Sequence, residues 1–412
     1  MMKNKIISAL TIKGDKGIWA MAFFLIISSF FILYSASGYE AFTKHGGNTG
    51  FAILTRLGFL VISGIVFFVC YAINYKFFVA TSVLILFAGV LLVILAMMFG
   101  PEINHAKRWL SIPGLPFTFQ PSEIAKIGLI LYISRILAKY QRPEGCDINA
   151  LKPILIAIGI TCGFIILQDF STAALLGLSS FALMIIGRVH IKYLAIIAVS
   201  VITLMLLLVL FCPGARFDEA RTRLGIGKNL EQVAKDTRQV DNAKIAVATG
   251  GVFGNGPGNS VQRNFLPLPY SDYVYAIIIE EYGMIGGFTI LLMYLIILTR
   301  GFHIVRKSSS ALPAFVAMGM VLLIVIQAFS NMGVAVDLLP VTGQTLPLIS
   351  KGGTSLVMTS AIFGLLLNIS KHVEKPEEEF IQAQEQEKSE EEGEKKEIEK
   401  EKIEHKESEL VM

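Results

Sequence analysis

The sequence predicts an all-α polytopic membrane protein with about ten transmembrane helices and one long extracytoplasmic loop between helices 7 and 8. Three observations predict this class. The first two are that 54% of the 412 residues are hydrophobic and that only 17% are charged, a balance typical of membrane proteins. The third observation is that the apolar residues gather in runs of about 20, the length that a helix needs to cross a bilayer.

Ten segments fit this length approximately. They are residues 18–35, 51–73, 77–99, 121–138, 151–168, 171–187, 191–212, 273–299, 311–336 and 352–370. The fourth segment carries Glu123, Lys126 and Arg135. The ends of the fourth, fifth and sixth segments are therefore the least defined.

An even number of spans places both chain ends on one side of the membrane, and the basic residues decide which side. If that side is the cytoplasm, the short outer loops hold little beyond Lys44, Arg56, Lys107 and Arg108. The long segment 213–272 carries eight further basic residues, but long translocated loops are largely exempt from this rule. We therefore predict cytoplasmic termini.

The chain divides into three parts: a cytoplasmic N-terminus (1–17), a transmembrane domain (18–373) and a charged cytoplasmic tail (374–412). The tail holds 16 Glu and 7 Lys, so we expect it to be disordered or a solvated helix without a catalytic role. Within the domain, the outer loop 213–272 contains a predicted helix from Asn229 to Ala248, then a run rich in Gly and Pro. The helical middle of so long a loop favours a functional role.

The distribution of basic residues and cysteines excludes two kinds of site. Lys and Arg stand singly between apolar runs, not in the groove or helix face that binds nucleic acid. The cysteines form no CxxC pair; they are Cys70, Cys146, Cys162 and Cys212. Neither a zinc site nor a disulfide framework is indicated.

Ionisable residues inside a span cost about 2.5–3.5 kcal/mol on insertion, so each is a functional candidate. Gln120 and Pro121 precede a predicted helix start. Glu123 and Lys126, three positions apart, are then neighbours on one helical face. Two interpretations stay open for this pair: self-neutralisation that joins helices, or substrate binding.

Two aspartates lie where a loop becomes a helix. Asp169 precedes Ser171 and Thr172, and helix capping is its favoured interpretation. Asp272 stands at the start of the eighth span, where it can also be an N-cap. A carboxylate at the membrane surface, beside aromatic residues and a basic loop, is however well placed to act as a general base.

Glu280 and Glu281 lie two turns deeper in the same span and are followed by Gly283, Gly286 and Gly287. Adjacent carboxylates point about 100° apart on a helix, so pairing with Lys or Arg is the simplest use of each. We expect both to support the site. The glycines favour close packing over ligand binding.

The segment from Asn331 to Ser355 is too rich in Pro and Gly to be regular helix. Irregular backbone near a bilayer must line a cavity or be buried in protein. Asp272 and several cations on the same side suit a substrate that carries a pyrophosphate, such as a lipid-linked sugar diphosphate. The residues that we assign to substrate binding are Lys107, Arg108, Glu123, Lys126, Arg263, Ser350 and Lys351.

In this order along the chain, the motifs resemble those of the SEDS (shape, elongation, division and sporulation) family, to which FtsW and RodA belong. The resemblance covers about residues 15–373. It rests on Asn104 to Trp109 with Gln120 to Lys126, on Gly250 to Ser260, on Leu266 to Asp272 with Glu280 to Gly283, and on Asn331 to Ser355. It implies ten transmembrane helices and a peptidoglycan glycosyltransferase that polymerises lipid II at the outer face of the bacterial cytoplasmic membrane. The charged tail favours the FtsW type.

The resemblance also implies roles for individual residues. The loop carboxylate of the family falls on Asp272, which would deprotonate the 4-hydroxyl of the acceptor GlcNAc. That oxygen would attack C1 of the donor MurNAc with inversion and expel undecaprenyl pyrophosphate. The family's Glu and Lys of the fourth helix fall on Glu123 and Lys126. Basic residues or a divalent cation, Mg²⁺ or Mn²⁺, would stabilise the leaving diphosphate, and no other cofactor is expected.

The implied partners are lipid II and the growing glycan strand, a class B penicillin-binding protein that crosslinks the product, and other divisome or elongasome proteins. Two other classes stay open. A flippase would use the same charges to line a path across the bilayer, often with internal repeats, of which we find no clear example; a non-catalytic divisome scaffold would not need Asp272. The chain also departs from many relatives: it has Tyr270 where they have His, and Lys351 where they have an aromatic residue.

Overall fold

A computed structural model describes residues 13–44, 49–102, 107–111, 118–211, 230–266, 270–350 and 352–373. Within them the chain forms twelve α-helices: α1 (Lys16–Lys44), α2 (Thr49–Ala72), α3 (Tyr75–Ala80), α4 (Ser82–Phe99), α5 (Ser122–Lys139), α6 (Leu151–Ile166), α7 (Phe170–Ile186), α8 (Ile191–Phe211), α9 (Leu230–Gly250), α10 (Val274–Lys307), α11 (Ala311–Ala335) and α12 (Gly353–Val373). Two short antiparallel ladders join β1 (Leu110–Ser111) to β2 (Thr118–Phe119) and β3 (Gln141–Arg142) to β4 (Gly145–Cys146). The predicted, mostly helical architecture is confirmed.

Several helices are apolar enough to cross a membrane. In the described part of the chain, six are also long enough: α4, α8, α10, α11, α12 and the segment Ile148–Ile166. Shorter apolar helices cover Lys16–Ile32, Leu57–Ala72 and Phe170–Ile186. Large apolar side chains such as Phe99 are exposed, whereas polar ones such as Ser180 are buried. This arrangement is that of a multi-pass membrane protein, whose outer surface faces lipid.

The ends of the helices differ from the predicted spans. The first helix continues to Lys44 instead of residue 35, and α10 continues to Lys307 instead of residue 299. Hydropathy marks the apolar part of a helix, whereas its backbone hydrogen bonds continue into polar sequence. The predicted loop helix is α9, within two residues at each end. The N-terminus 1–12, the loop part 212–229 and the tail 374–412 lie outside the described residues.

The bundle is organised around α11. This helix packs against α5, α7 and α10, and most of its residues are buried. In contrast, α8 contacts mainly α7 and leaves most of its apolar surface exposed. The centre of the bundle is therefore the C-terminal half of the chain together with α5 and α7.

The eighth predicted span is not one continuous helix, because α10 is broken at Gly283 (φ 70°, ψ −172°). The glycine-rich segment, residues 250–258, lies against this break and supplies hydrogen bonds that an unbroken helix would make internally. Four backbone bonds cross it: Asn255 N to Glu280 O (2.9 Å), Gly256 N to Glu281 O (3.0 Å), Met284 N to Gly251 O (2.9 Å) and Ile285 N to Val252 O (3.3 Å). The glycines of this region thus permit close backbone packing.

Candidate active site

Asp272 lies in the turn that leads into α10. The N-cap of α10 is Tyr273, which makes no side-chain capping bond, so the possible capping role of Asp272 is not observed. Burial raises the pKa of the Asp272 carboxyl; a hydrogen bond with Ser271 and the charge of Arg108 lower this pKa, and the charge of Asp169 raises it. The carboxyl is therefore a better proton acceptor than a solvated aspartate.

Arg108 is a cation that acts electrostatically on Asp272. Its guanidinium donates to the Gln168 carbonyl through Nε (2.8 Å) and to Asp169 Oδ2 through Nη1 (2.8 Å). Asp169 is itself the N-cap of α7, because its Oδ1 accepts from the Thr172 amide (3.1 Å). Asp169 therefore caps a helix, as its sequence context predicts, and also fixes Arg108 beside the candidate base.

A hydrogen-bond chain connects this ion pair to the backbone of Asp272. The Asn331 side chain, on α11, donates to the Asp272 carbonyl (2.9 Å) and to the Gln344 carbonyl (2.7 Å). The Gln344 side chain donates to Thr172 Oγ1 (2.8 Å). Three separate parts of the chain, α7, α11 and the loop after α11, are thus linked by hydrogen bonds to the backbone of Asp272.

The loop after α11, residues 337–350, is irregular, and its second half, residues 344–350, is largely buried, as expected for irregular backbone in a membrane protein. The irregular segment is shorter than the predicted Asn331–Ser355, because residues 331–335 complete α11 and residues 353–355 begin α12. Buried side chains satisfy its backbone: Tyr294 donates to the Pro347 carbonyl at 2.5 Å. Ser350 Oγ accepts from the Leu346 amide (2.6 Å) and donates to the Ser271 carbonyl (2.7 Å). The structure therefore places Ser350 in contact with the residue before Asp272.

Gly343, in the same loop, lies near the candidate base. It has a φ of 65°, a left-handed conformation that favours glycine. A Cβ at this position would lie 3.8 Å from Asp272 Oδ2. The loop therefore approaches the carboxylate with backbone alone.

Glu123 and Lys126 form the predicted neighbouring pair on α5, with Lys126 Nζ 2.8 Å from Glu123 Oε1. Both residues are buried. Lys126 also donates to Gln327 Oε1 on α11 (3.2 Å), and the Gln327 amide donates to the Thr345 carbonyl (2.9 Å). Two cavities share Lys126, Leu323 and Gln327 in their walls; one also contains Glu123 and Thr359, the other Thr172 and Gln344. The pair thus lies beside the network that holds Asp272.

Arg263 and Glu281 belong to a second cluster, which also contains Ser35 and Tyr270. Ser35 Oγ donates to Glu281 Oε1 (2.5 Å) and lies 3.3 Å from the Tyr270 hydroxyl. Arg263 acts electrostatically on both Tyr270 and Glu281. Tyr270 therefore joins α1 to the segment that leads to Asp272.

Glu280 corrects the expectation of pairing with Lys or Arg. Its carboxylate accepts from the Ser260 hydroxyl and from the amides of Val261 (2.9 Å) and Gln262 (3.2 Å). A carboxylate that accepts backbone N–H groups is stabilised much as one at a helix N-cap. Glu280 thus anchors the segment after the glycine-rich run to α10.

The remaining predicted residues are less closely tied to Asp272. Lys107 is exposed. Gln120 accepts the Glu123 amide through its backbone at the start of α5 (3.2 Å), where the sequence predicts a helix start. Lys351 lies outside the described residues. Among all the residues that the structure describes, no three His, Cys, Asp or Glu side chains lie close enough together to hold a metal ion.

Sequence reasoning gave no role to the polar residues that hold Asp272 in place, although Asn331 begins one of the motifs that carry the family resemblance. Gln327 and Asn331 are four positions apart in the apolar helix α11, a spacing that puts two costly amide groups on one face. That signal could have found both. Gln344 and Thr345 sit in irregular backbone, where spacing carries no directional information.

Comparisons with known proteins agree on one family. The sequence profile of FtsW, RodA and SpoVE, described as cell cycle protein, matches residues 15–375. A probable peptidoglycan glycosyltransferase FtsW of Geobacter metallireducens is 33% identical over 362 residues, covering 86% of this chain and 94% of the relative. A protein of the same name from Bacillus subtilis is 31% identical over 358 residues, 84% of this chain and 88% of the relative.

Solved structures show the same fold. A chain of a peptidoglycan synthase complex superposes with a TM-score of 0.69 at 20% identity, covering 87% of this chain and 98% of that chain. The rod shape determining protein RodA of Thermus thermophilus gives a TM-score of 0.62 at 21% identity, covering 87% and 97%. The predicted resemblance is thus confirmed, and the chain belongs to the FtsW/RodA/SpoVE family of cell cycle proteins.

Proposed function

We propose that this protein is a peptidoglycan glycosyltransferase of the FtsW type that polymerises lipid II into glycan strands, with Asp272 as general base. The observation that carries the proposal is the environment of Asp272: a half-buried carboxyl of raised pKa, beside Arg108 and held by a buried amide. General-base catalysis is most effective when the base titrates near the working pH. The names of the curated relatives support the reaction class.

The proposed step is a single displacement. Asp272 takes the proton of the acceptor GlcNAc 4-hydroxyl as its oxygen bonds to C1 of the donor MurNAc. The bond between C1 and the diphosphate oxygen breaks, and undecaprenyl pyrophosphate leaves. Arg108, Lys107 and Lys126 are the described cations that we assign to the diphosphate, because preorganised positive charge stabilises a leaving group that gains negative charge. A bound divalent cation, Mg²⁺ or Mn²⁺, would add positive charge at the same diphosphate.

The proposed setting follows from the spans. We place ten transmembrane helices in the bacterial cytoplasmic membrane, with both termini cytoplasmic and α9, the glycine-rich segment and Asp272 on the outer side. This placement brings the carboxylate to the face where lipid II presents its sugars. A class B penicillin-binding protein is the proposed partner, supported by the fold shared with a chain of a peptidoglycan synthase complex. Other divisome proteins are proposed to join them.

A second candidate function is a flippase for the same lipid-linked precursor. One observation favours it: Lys126 and Gln327 line two small cavities inside the bundle, and Glu123 lines one of them, and charged side chains inside a bundle are expected along a path for a charged headgroup. The charged residues nearest Asp272 are instead gathered at one end of α7 and α10, which favours chemistry at one face.

One experiment separates the two functions. The full chain, purified in detergent and also reconstituted in vesicles, is supplied with fluorescent lipid II. We expect muramidase-sensitive glycan polymer from both preparations. The flippase would instead be supported if folded protein, supplied with the partner transpeptidase, moved lipid II between leaflets and made no polymer.

A further inference from the structure

Asn331 makes two hydrogen bonds that fix the backbone around Asp272. It is 1% exposed, and its Nδ2 donates both hydrogens, one to the Asp272 carbonyl and one to the Gln344 carbonyl. Both acceptors are carbonyl oxygens, so chemistry requires that the nitrogen face them. The orientation of this amide is therefore unambiguous.

The amide oxygen of Asn331, in contrast, makes no such hydrogen bond. Asn331 Oδ1 is buried and has no hydrogen-bond partner among the described residues. A buried acceptor left unsatisfied costs stability, so an apolar residue would serve α11 better if packing were the only demand. The advantage of Asn331 must then come from the two bonds that it donates.

These two bonds belong to the longer chain already described. The Gln344 side chain donates to Thr172 Oγ1. The Thr172 amide N–H donates to Asp169, and Asp169 pairs with Arg108. Four side chains, those of Asn331, Gln344, Thr172 and Asp169, thus connect the backbone of the candidate base to its neighbouring cation. Displacing one member changes the distance between charge and base.

We propose that Asn331 is a positioning residue for catalysis: it fixes the Asp272 backbone so that the carboxylate meets the acceptor hydroxyl beside Arg108. The proposal rests on the proposed function of Asp272. Asn331 itself contacts neither substrate nor the reacting atoms. It acts through the base, so its loss reduces the rate of the chemical step and not substrate affinity.

The chain offers a matched control in Asn368, on α12. This residue is equally buried at 1% exposed. It too bridges two backbone segments, because its Nδ2 donates to the Tyr71 carbonyl (2.6 Å) and its Oδ1 accepts from the Tyr75 amide (2.9 Å). Its partners lie at the junction of α2 and α3, away from Asp272. Asn368→Ala therefore removes similar bonds without touching the site.

The test measures kcat and KM for lipid II polymerisation by the full chain with its partner transpeptidase, per folded molecule. Because a misplacement of about 1 Å can cost about 100-fold in rate, Asn331→Ala should lower kcat by about that factor while KM changes little. Asn368→Ala should keep the wild-type kcat. Equal kcat losses in the two variants, or a wild-type kcat in Asn331→Ala, would overturn the proposal.

A second pair of variants covers the case in which Asn331→Ala does not fold. Thr172→Val removes the acceptor of the Gln344 amide and keeps the side-chain shape, whereas Thr172→Ser keeps that acceptor. We expect a lower kcat in the first variant and near wild-type kcat in the second. Identical kcat values in both would contradict the positioning chain.

Failure of this proposal is distinguishable from failure of the proposed function. If Asp272→Asn is inactive in the same assay but Asn331→Ala and Thr172→Val keep the wild-type kcat, only the positioning role fails. If Asp272→Asn polymerises lipid II at the wild-type rate, the proposed function of Asp272 fails with it.

Discussion

Replacing Gly283 with alanine tests how the glycine-rich segment is held against α10. The backbone of Gly283 lies in a region of φ and ψ that is essentially restricted to glycine, and an alanine there costs about 1–3 kcal/mol. A Cβ would in addition lie 2.1 Å from the Val252 carbonyl oxygen and 2.6 Å from the Gly254 amide nitrogen. Both are backbone atoms, so the segment must move away.

Such a movement disrupts the four backbone bonds that cross the break. Each is worth about 0.5–1.5 kcal/mol, so the total destabilisation reaches about 3–9 kcal/mol together with the backbone strain. The consequence extends to function, because the same segment continues into the residues that Glu280 anchors. We therefore expect Gly283→Ala to lower both the melting temperature and the rate of polymerisation.

The assay is thermal unfolding of the full chain in detergent, with Gly177→Ala as the matched control. Gly177 lies within α7, and a Cβ there would meet nothing within 4 Å. In a helix interior this exchange is neutral or stabilises by about 0.5–1 kcal/mol. If both variants unfold at the same temperature, the account of the break in α10 is refuted.

Two further predictions concern charges around the site. In Arg108→Gln the positive charge that lowers the pKa of Asp272 is lost, so this pKa rises; because the base must be deprotonated, the acid limb of kcat/KM should move to higher pH. If the acid limb of kcat/KM does not move, Arg108 does not lower the pKa of the general base. Lys126→Met leaves the buried Glu123 carboxylate unpaired, at a cost of about 3–5 kcal/mol. The melting temperature of Lys126→Met should therefore fall, and most of the loss should be recovered in the double variant Glu123→Gln/Lys126→Met. A double variant no more stable than Lys126→Met would contradict the pairing.

The positions of the helices could be predicted from the sequence because the bilayer imposes a length on apolar runs. Local neighbours on a helix could be predicted as well: Glu123 and Lys126 pair as a spacing of three requires. Asp169 caps α7 because Asp before Ser and Thr is a strong local signal. In each case the relevant partner is nearby in sequence or is the lipid itself.

Contacts between distant segments could not be predicted in this way. Asn331 reaches Asp272 across 59 positions, and Glu280 accepts backbone amides of the loop that precedes α10 instead of pairing with a cation. A carboxylate can accept hydrogen bonds from any donor that the fold brings near it. A charge inside a span therefore shows that a partner is needed, but the sequence does not show which residue that partner is. The break at Gly283 was hidden because hydropathy does not change there.

The central claim, that Asp272 is the general base of glycan polymerisation, is tested most directly by the initial rate with lipid II of Asp272→Asn relative to wild type. The matched control is Asp337→Asn, an exposed aspartate at the end of α11 that pairs with Lys244. General-base catalysis contributes about 10²–10⁴-fold. We predict a loss of that size for Asp272→Asn at equal folded protein and a wild-type rate for Asp337→Asn. A rate for Asp272→Asn close to that of wild type would contradict the account.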